Sequence, residues 1–401
     1  GKLYSVLPTN GDGDFTTTRA SVATRVNENG LIEEVASNVP RLDYSDGTCP
    51  SLLLEPIARN FLIQSESFDD VAWTKSLSGV ASAPVVTANQ GISPDGTLNA
   101  DRIVFDLNGG VSTGDSSIIT ETAATILTGI NVNTRSVYLK SNTNLSYDII
   151  LGTNTANSNA EKITVTTEWQ RFEVTQTPTT TTTNFYLGLR NAFGVSSLSD
   201  SADVLVYGAS LEENSYATSY IKTVGTTQTR SADTANGAGD ASTFNDSEGV
   251  LMVEISALAN NSIGSRAIAL SDGGGSNRVY FFYDNFNRIT VQIISSTVNV
   301  FSFTHTLTNQ EEVIKLAFNY KANNISLFIN GIEIKKDGTV ASMPLNLNRL
   351  GFDSGGGFSD FYGNTKQIQY FDSALNDTEL EKLTSWTSFT AMANALNYTI
   401  I

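Results

Sequence analysis

Alternation of apolar and polar residues over short runs is the feature that most constrains this sequence, and it recurs along most of the chain. Half-buried antiparallel strands need this period of two, whereas an amphipathic helix needs a period near 3.6. Gly, Asn-Gly and Asp-Gly separate many of the runs and favour tight turns. In residues 326–334, Asn330-Gly331 stands between two alternating apolar stretches, which predicts a two-residue hairpin. The sequence therefore predicts an all-β fold.

Helical periodicity is scarce. The best candidate is residues 376–383, where Asn376 or Asp377 can cap the first turn and Leu380 and Leu383 fall on one face. We expect a short helix there, following the last strand.

Composition divides the chain into four parts. Residues 1–55 hold two short apolar stretches around a turn at Gly30; they are too few for their own core and are predicted to be a docking or oligomerisation segment with a β-hairpin. Residues 56–233 and 248–401 each contain a series of short strands, typical of a β-sandwich or jelly roll. Residues 234–247 begin with small, polar residues and are predicted to be a linker. The expected architecture is two β-sandwich domains in tandem.

Composition also excludes several classes of function. The chain has 41 Asp and Glu against 24 Lys and Arg, a formal charge of −17, so nucleic acid and anionic membranes should repel it. With only Cys49 and His305, no intrachain disulfide can form and a zinc site would have to use mainly carboxylates. His305 lies in an alternating run without a nucleophile motif and is predicted to be a strand residue. No apolar run reaches the roughly 20 residues of a membrane span, so no membrane insertion is expected.

The C-terminal part resembles the concanavalin A-like, laminin G-like jelly roll. The resemblance rests on the Asn330-Gly331 hairpin and on residues 367–385, in which a last core strand precedes a short helix. It covers residues 248 to about 390, and the family positions in its closing segment are occupied by Ile368, Tyr370, Ala374, Leu375, Glu379 and Leu380. The resemblance implies the fold but no particular activity, because the scaffold hosts lectins, adhesion modules, glycosidases and structural domains.

The middle part resembles carbohydrate-binding modules of the xylan- and glucan-binding type. The residues that carry this resemblance lie at 60–63, 67–74, 167–172 and 207–212. Such modules often hold a structural calcium ion between an acidic residue after the first strand and an Asp in the last strand. The resemblance makes Asp69 the first candidate ligand, whereas Gly208 stands where the second is expected.

The first 75 residues and the junction between the two sandwiches resemble a cassette found in virion fibre proteins of tailed bacteriophages and related prophages. The matching strings are TRAS from residue 18, GLI from residue 30, PRLDY from residue 40, CPSLLLEP from residue 49, YATSYI from residue 216 and TRSAD from residue 229. The resemblance implies a fibre or adhesin on the tail or head of a virion. It also implies other virion proteins as partners and commonly a homotrimer.

Sugar binding needs flat aromatic faces beside amide and carboxylate groups. Trp73 is one candidate for such a face, with packing in the core as its alternative. Phe358, Phe361 and Tyr362 are further candidates, because they lie in a glycine-rich acidic stretch.

Two glycine-rich loops offer carboxylates for a calcium ion. Asp272 lies in the first loop and Asp353 in the second, and laminin G-like folds build ligand rims from such loops with hard oxygen ligands. The alternative is that both loops are plain hairpin turns. With Asp69, these residues make calcium the only cofactor that the sequence suggests.

The expected function is non-catalytic binding of host-surface or environmental glycans from the surface of a virion. The E-x-D-x-x-E strand motif of hydrolases with the concanavalin A-like fold is absent, as are phosphate-binding glycine motifs. One alternative is a structural or decoration protein that contacts only other virion subunits. Another is a secreted bacterial protein that binds or degrades polysaccharide. The first residue is Gly rather than Met, which is compatible with a processed portion of a longer protein.

Overall fold

The computed structural model describes residues 2–4, 15–47, 49–122, 131–153, 160–177, 184–190, 198–259 and 264–386. The chain forms two compact units. Unit 1 comprises Gly1–Ala20, Ser37–Pro56 and Ala232–Ile401, and unit 2 comprises Ser21–Ala36 and Ile57–Ser231.

The secondary structure of the described residues is almost entirely β. The first strands in chain order are β1 (Lys2–Leu3), β2 (Thr16–Thr18), β3 (Ala23–Val26), β4 (Ile32–Val35), β5 (Leu42–Asp43), β6 (Ser51–Leu54), β7 (Ala58–Asn60), β8 (Thr74–Ser78), β9 (Ser82–Ile92), β10 (Leu98–Asp106), β11 (Ser116–Thr122), β12 (Asn133–Ser141), β13 (Tyr147–Gly152), β14 (Ala160–Val165) and β15 (Gln170–Gln176). The later elements are β16 (Asn184–Arg190), β17 (Ser201–Glu212), β18 (Gln228–Arg230), β19 (Thr234–Ala238), β20 (Glu248–Ala257), β21 (Arg266–Ser271), β22 (Arg278–Tyr283), β23 (Arg288–Ser295), β24 (Val298–Thr306), β25 (Ile314–Lys321), β26 (Ile325–Ile329), β27 (Ile332–Asp337), β28 (Arg349–Gly351), β29 (Gly363–Phe371) and α1 (Asp377–Thr384).

Unit 1 is a sandwich of two antiparallel sheets. One has eight strands in the order β27-β26-β25-β20-β29-β6-β5, with β1 also paired to β29. The other has seven strands in the order β2-β19-β28-β21-β22-β23-β24. Apolar side chains from both sheets form one core, which includes Leu251, Leu270, Phe281, Phe318 and Leu327. Because side chains alternate along a strand, β22 and β23 also present a second set of side chains away from this core.

Unit 2 is a second sandwich. Its five-stranded sheets have the orders β15-β12-β17-β10-β9 and β14-β13-β16-β11-β8, and the short pairs β3-β4 and β18-β7 complete the unit. The core between the sheets includes Ile103, Phe105, Leu139, Phe185 and Leu187. Strand β9 contains Pro84 and lies at a sheet edge, where a missing backbone N–H is tolerated.

Local sequence signals correctly predicted one hairpin and one helix. Asn330 and Gly331 join β26 to β27 and have φ values of 52° and 82°, as a type I′ turn requires. Asn376 caps α1 by accepting a hydrogen bond from the backbone N–H of Glu379, whose carboxylate accepts from the backbone N–H of Asn376. Both predictions are confirmed. Among the described residues, no helix is long and apolar enough to cross a membrane.

The all-β fold class is confirmed, but the structure divides the chain differently from the predicted boundaries. Within residues 1–55, β2, β5 and β6 join the sheets of unit 1, whereas the β3–β4 hairpin belongs to unit 2. The predicted linker, residues 234–247, contains all of β19, which pairs with β2 on one side and β28 on the other. Strands this short gain backbone hydrogen-bond partners only inside a larger sheet.

Candidate functional site

Two glycine-rich loops of unit 1 come together in the structure. The first, residues 272–277, joins β21 to β22, and the second, residues 352–362, joins β28 to β29. The Ser271 hydroxyl donates to the carbonyl of Gly355 at 3.3 Å. A Cβ at Gly355 would lie 2.8 Å from the carbonyl oxygen of Gly274, and its φ is +96°, so this close approach requires glycine. The sequence predicted both loops, and the family resemblance implied a shared rim, but the direct contact between them was not predicted.

Strand β22 places three large side chains on the face that points away from the core. Val279, Phe281 and Tyr283 join the core, so Arg278, Tyr280 and Phe282 share the opposite face. The Arg278 guanidinium lies 4.1 Å from the centre of the Tyr280 ring. The rings of Tyr280 and Phe282 stack at 5.6 Å with an interplanar angle of 24°. The result is a continuous row of cation and aromatic rings, in which Tyr280 is buried at 7% exposure and Phe282 is partly buried.

An amide and a hydroxyl extend this row across the neighbouring strands. The Tyr280 hydroxyl donates to Gln292 Oε1 on β23, and Gln292 Nε2 donates to Ser302 Oγ on β24 at 3.1 Å. The second loop borders the same face, because its Ser354 carbonyl accepts a 2.5 Å hydrogen bond from Arg278 Nη1. We call the two loops with Arg278, Tyr280, Phe282 and Gln292 the rim site.

The predicted aromatic residues of the second loop have different positions. Phe358 is 75% exposed and presents an apolar ring to solvent. Phe361 is fully buried in the core, 5.9 Å from the ring of Phe352, and Tyr362 is also buried. Burial leaves Phe361 and Tyr362 without a ring face for a sugar, so only Phe358 keeps its predicted place as a contact residue.

Trp73 is a core residue of unit 2. It is 1% exposed, lies against Phe68 and Phe185 with ring centroids at 4.9 and 5.5 Å, and donates its indole N–H to the carbonyl of Gln64 at 2.9 Å. The structure therefore confirms the packing alternative for Trp73 and excludes it as a glycan contact, because its faces and its polar atom are already engaged.

The carboxylates of the rim site stabilise the loops. Asp353 is fully buried, forms an ion pair with Arg349 and accepts the backbone N–H of Gly355 at 2.6 Å. Asp272 accepts the N–H of Gly274 at 2.9 Å and the side-chain amide of Asn277 at 3.0 Å. Burial, together with the nearby charge of Asp353, raises the pKa of Asp360 to about 6.

These aspartates do not fit a calcium ion, which needs six to eight oxygen ligands. Donors of the loops, together with Arg349 of β28, engage both oxygens of Asp272 and of Asp353. In unit 2, Asp69 is exposed, its carbonyl accepts from Lys75 Nζ at 2.9 Å, and Gly208 has no side chain to act as the second ligand. Over the part of the chain that the structure describes, no three Asp, Glu, His or Cys residues form a metal-binding group. We therefore derive no role for calcium.

His305 lies in β24, as predicted. Its imidazole is half-buried, and this burial lowers its pKa below the usual value.

The sequence analysis missed four residues of the rim site: Arg278, Tyr280, Phe282 and Gln292. Strict alternation within residues 278–283 was the available signal, because it places Arg278, Tyr280 and Phe282 on one face.

Comparison with known proteins supports the fold of unit 1. Residues 257–381 match the family model of the Concanavalin A-like lectin/glucanases superfamily. This stretch includes β21 to β29 and both loops of the rim site. No curated protein matches the chain.

Several solved structures are similar to parts of the chain. The CBM40 domain of an IT-sialidase from Ruminococcus gnavus is 14% identical, with a TM-score of 0.31, over 38% of this chain and 94% of that one. Domain 4 of AbnA, a GH43 extracellular arabinanase from Geobacillus stearothermophilus in complex with arabinotriose, is 12% identical, with a TM-score of 0.30, over 38% and 73%. A heptameric SAP-like pentraxin from Limulus polyphemus is 11% identical, with a TM-score of 0.28, over 35% and 71%. Similarities this low carry no argument about function.

Proposed function

We propose that this chain is a non-catalytic glycan-binding protein and that the rim site contacts the sugar. The observation that carries the proposal is the exposed ring of Phe358, in a loop that borders a row of aromatic, amide and hydroxyl side chains. Sugars bind through apolar ring faces and through hydrogen bonds to their hydroxyls. Here the exposed Phe358 ring offers the apolar face, and the partly exposed Gln292 and the exposed Ser302 offer polar groups. The match of residues 257–381 to a lectin and glucanase superfamily supports the same function.

A glycan array probed with the purified chain tests the proposal, followed by titration calorimetry of the best ligand. Phe358→Ala should weaken binding about tenfold, because it removes the exposed apolar platform. Phe286→Ala is the matched control: Phe286 is 72% exposed and lies in the turn after β22, at the other end of that strand from Arg278. Absence of binding to any glycan, or equal effects of the two substitutions, would contradict the proposal.

The proposed protein binds sugar without cleaving it. A glycosidase needs two carboxylates that reach the substrate, whereas Asp353 is buried in an ion pair and Asp272 is held by its own loop. Asp360, with its raised pKa, is the acid of the rim site best suited to catalysis. The measurement is release of reducing sugar from a bound polysaccharide by the wild type and by Asp360→Asn. Release by the wild type that is lost in Asp360→Asn would show that the function is hydrolysis and not binding alone.

We further propose that the binding takes place on the surface of a tailed-bacteriophage virion, with the chain as a homotrimeric fibre or adhesin. Support comes from the cassette strings in the first 75 residues and near residue 230. Individual sugar sites of millimolar to micromolar affinity become useful when several copies act together. Light scattering after gel filtration would give the copy number, and antibody labelling of particles would locate the chain. A secreted monomer would favour the bacterial alternative, and labelled particles that bind no glycan would favour a decoration protein.

A further inference from the structure

We propose that the rim site selects glycans that carry a carboxylate, and that Arg278 binds this group. The inference rests on the proposed function and adds the chemical class of the ligand. It depends on the position, the partners and the charge balance of Arg278.

Arg278 is held in place by neutral groups. Its Nη1 donates to the Ser354 carbonyl at 2.5 Å, its Nη2 lies 3.4 Å from the Tyr280 hydroxyl, and its guanidinium stacks on the Tyr280 ring. The Nε atom is buried and has no hydrogen-bond partner, so the second hydrogens of Nη1 and Nη2 are the donors left for a ligand. A guanidinium fixed in this way presents a planar fork of donors, which matches the two oxygens of a carboxylate. Little conformational freedom is lost when a ligand binds to such a group.

Two other arginines of unit 1 differ from Arg278 because each is paired with a carboxylate. Arg288 is paired with Asp284 at 2.6 Å, and Arg349 is paired with Asp353. Among the residues that the structure describes, no carboxylate lies within ion-pair distance of Arg278; its recorded partners are a carbonyl, a hydroxyl and a ring. Arg278 therefore retains a net positive charge at the edge of the aromatic row.

Three acids belong to the same loops: Asp272, Asp353 and Asp360. The oxygens of Asp272 and Asp353 already accept hydrogen bonds from the loops and from Arg349 of β28, so neither is directed at Arg278. These acids and the net charge of −17 disfavour general attraction of anionic polymers. Selective binding of an acidic glycan must then depend on a local, directional contact, which a single substitution can remove.

The experiment titrates the full chain with tetragalacturonate and with a sialylated trisaccharide, each alongside its methyl ester. The ester keeps the sugar and removes the charge. We expect at least one acid to bind about tenfold more tightly than its ester, as a charge-assisted hydrogen-bond pair allows. Arg278→Gln should abolish the preference for the acid over its ester, and Arg278→Lys should restore part of that preference. Arg288→Gln is the control and should leave every affinity within about twofold, because Arg288 already has a partner.

Each result has a definite meaning. Equal affinity for acids and esters, or an acid preference that survives in Arg278→Gln, would overturn the inference. Equally tight binding of tetraglutamate would also overturn it, because the carboxylate need not then belong to a sugar. If neutral glycans bind on the array and neither acid binds, the inference fails and the proposed function stands. If the array shows no ligand at all, the proposed function itself fails.

Discussion

Glu121 of β11 is a carboxylic acid buried in unit 2. It is 1% exposed, and its Oε1 accepts the backbone N–H of Ile63 at 2.5 Å. Its Oε2 is buried without a hydrogen-bond partner. Burial, with a smaller contribution from the charge of Asp70, raises the pKa of Glu121 to about 7. The folded protein therefore binds a proton that the unfolded chain releases at a lower pH.

This shift predicts that unit 2 loses stability as the pH rises. The folded pKa lies above the unfolded value of about 4.5, so the stabilising effect is complete below pH 4.5 and is lost as the pH rises through about 7. Glu121→Gln keeps the shape and the acceptor but cannot ionise. At pH 8 it should increase the free energy of unfolding by on the order of 2 kcal/mol, and at pH 4.5 it should change it little.

Urea unfolding of the wild type and of Glu121→Gln at both pH values measures the difference. Glu161→Gln is the control, because Glu161 is exposed on β14 of the same unit and its substitution should have no pH-dependent effect. A wild type that is as stable as Glu121→Gln at pH 8 would show that the carboxylate is solvated in the folded protein.

The β26–β27 hairpin depends on two residues in the left-handed region. Gly331 has φ +82°, and a Cβ there would lie 2.7 Å from the Ser385 hydroxyl. Gly331→Ala should lower the free energy of unfolding by about 1–2 kcal/mol, the cost of left-handed backbone for an L-residue. Gly338→Ala is the control, because Gly338 lies outside the left-handed region and its Cβ would only contact the Asn323 carbonyl at 3.5 Å. Thermal unfolding should show a lower Tm for Gly331→Ala alone, and equal Tm values would contradict the turn assignment.

Elements with local signals were predictable from the sequence, and elements with distant partners were not. Asn330-Gly331 and the Asn376 cap carry their signals within a few residues, and both are in the structure as predicted. Strand β19 was predicted to be part of a linker because its residues are small. In the structure it pairs with β2 and β28, which are far away in the sequence. Sequence shows residue type but not burial, which is why Trp73 and Phe361 appeared as contact residues.

Only part of the rim site was predictable from the sequence, because the sequence does not show contacts between distant residues. Both glycine-rich loops stand out in the sequence, and Phe358 is exposed as a contact residue must be. Their meeting depends on contacts such as Ser271 to Gly355, which join residues 84 positions apart. Arg278 was missed because its proposed role follows from the absence of a carboxylate partner among the described residues, and the sequence does not show which charges meet.

At the scale of the whole molecule, a buried ionic cluster joins distant parts of the chain within unit 1. Arg19 pairs with Asp233 at 2.9 Å, and Arg41 pairs with Asp233 and with Glu55, the latter at 2.6 Å. The backbone N–H of Glu55 also donates to Asp233 at 3.0 Å. All four side chains are nearly inaccessible, and two positive charges balance two negative ones. These four residues lie in the cassette strings that begin at residues 18, 40, 49 and 229. The cluster therefore explains in structural terms why those strings contain charged residues.

Removing one member of this cluster should be far more costly than breaking an exposed ion pair. Asp233→Asn removes the carboxylate that pairs with both buried guanidinium groups, so we expect the free energy of unfolding to fall by about 3–5 kcal/mol. Lys321→Gln is the control: it breaks the exposed pair with Glu248 at 2.9 Å and should cost at most about 1 kcal/mol. Calorimetric unfolding of both variants makes the comparison. Similar, small losses in both would mean that water reaches the cluster and that the N-terminal strands are held to unit 1 by their sheet hydrogen bonds instead.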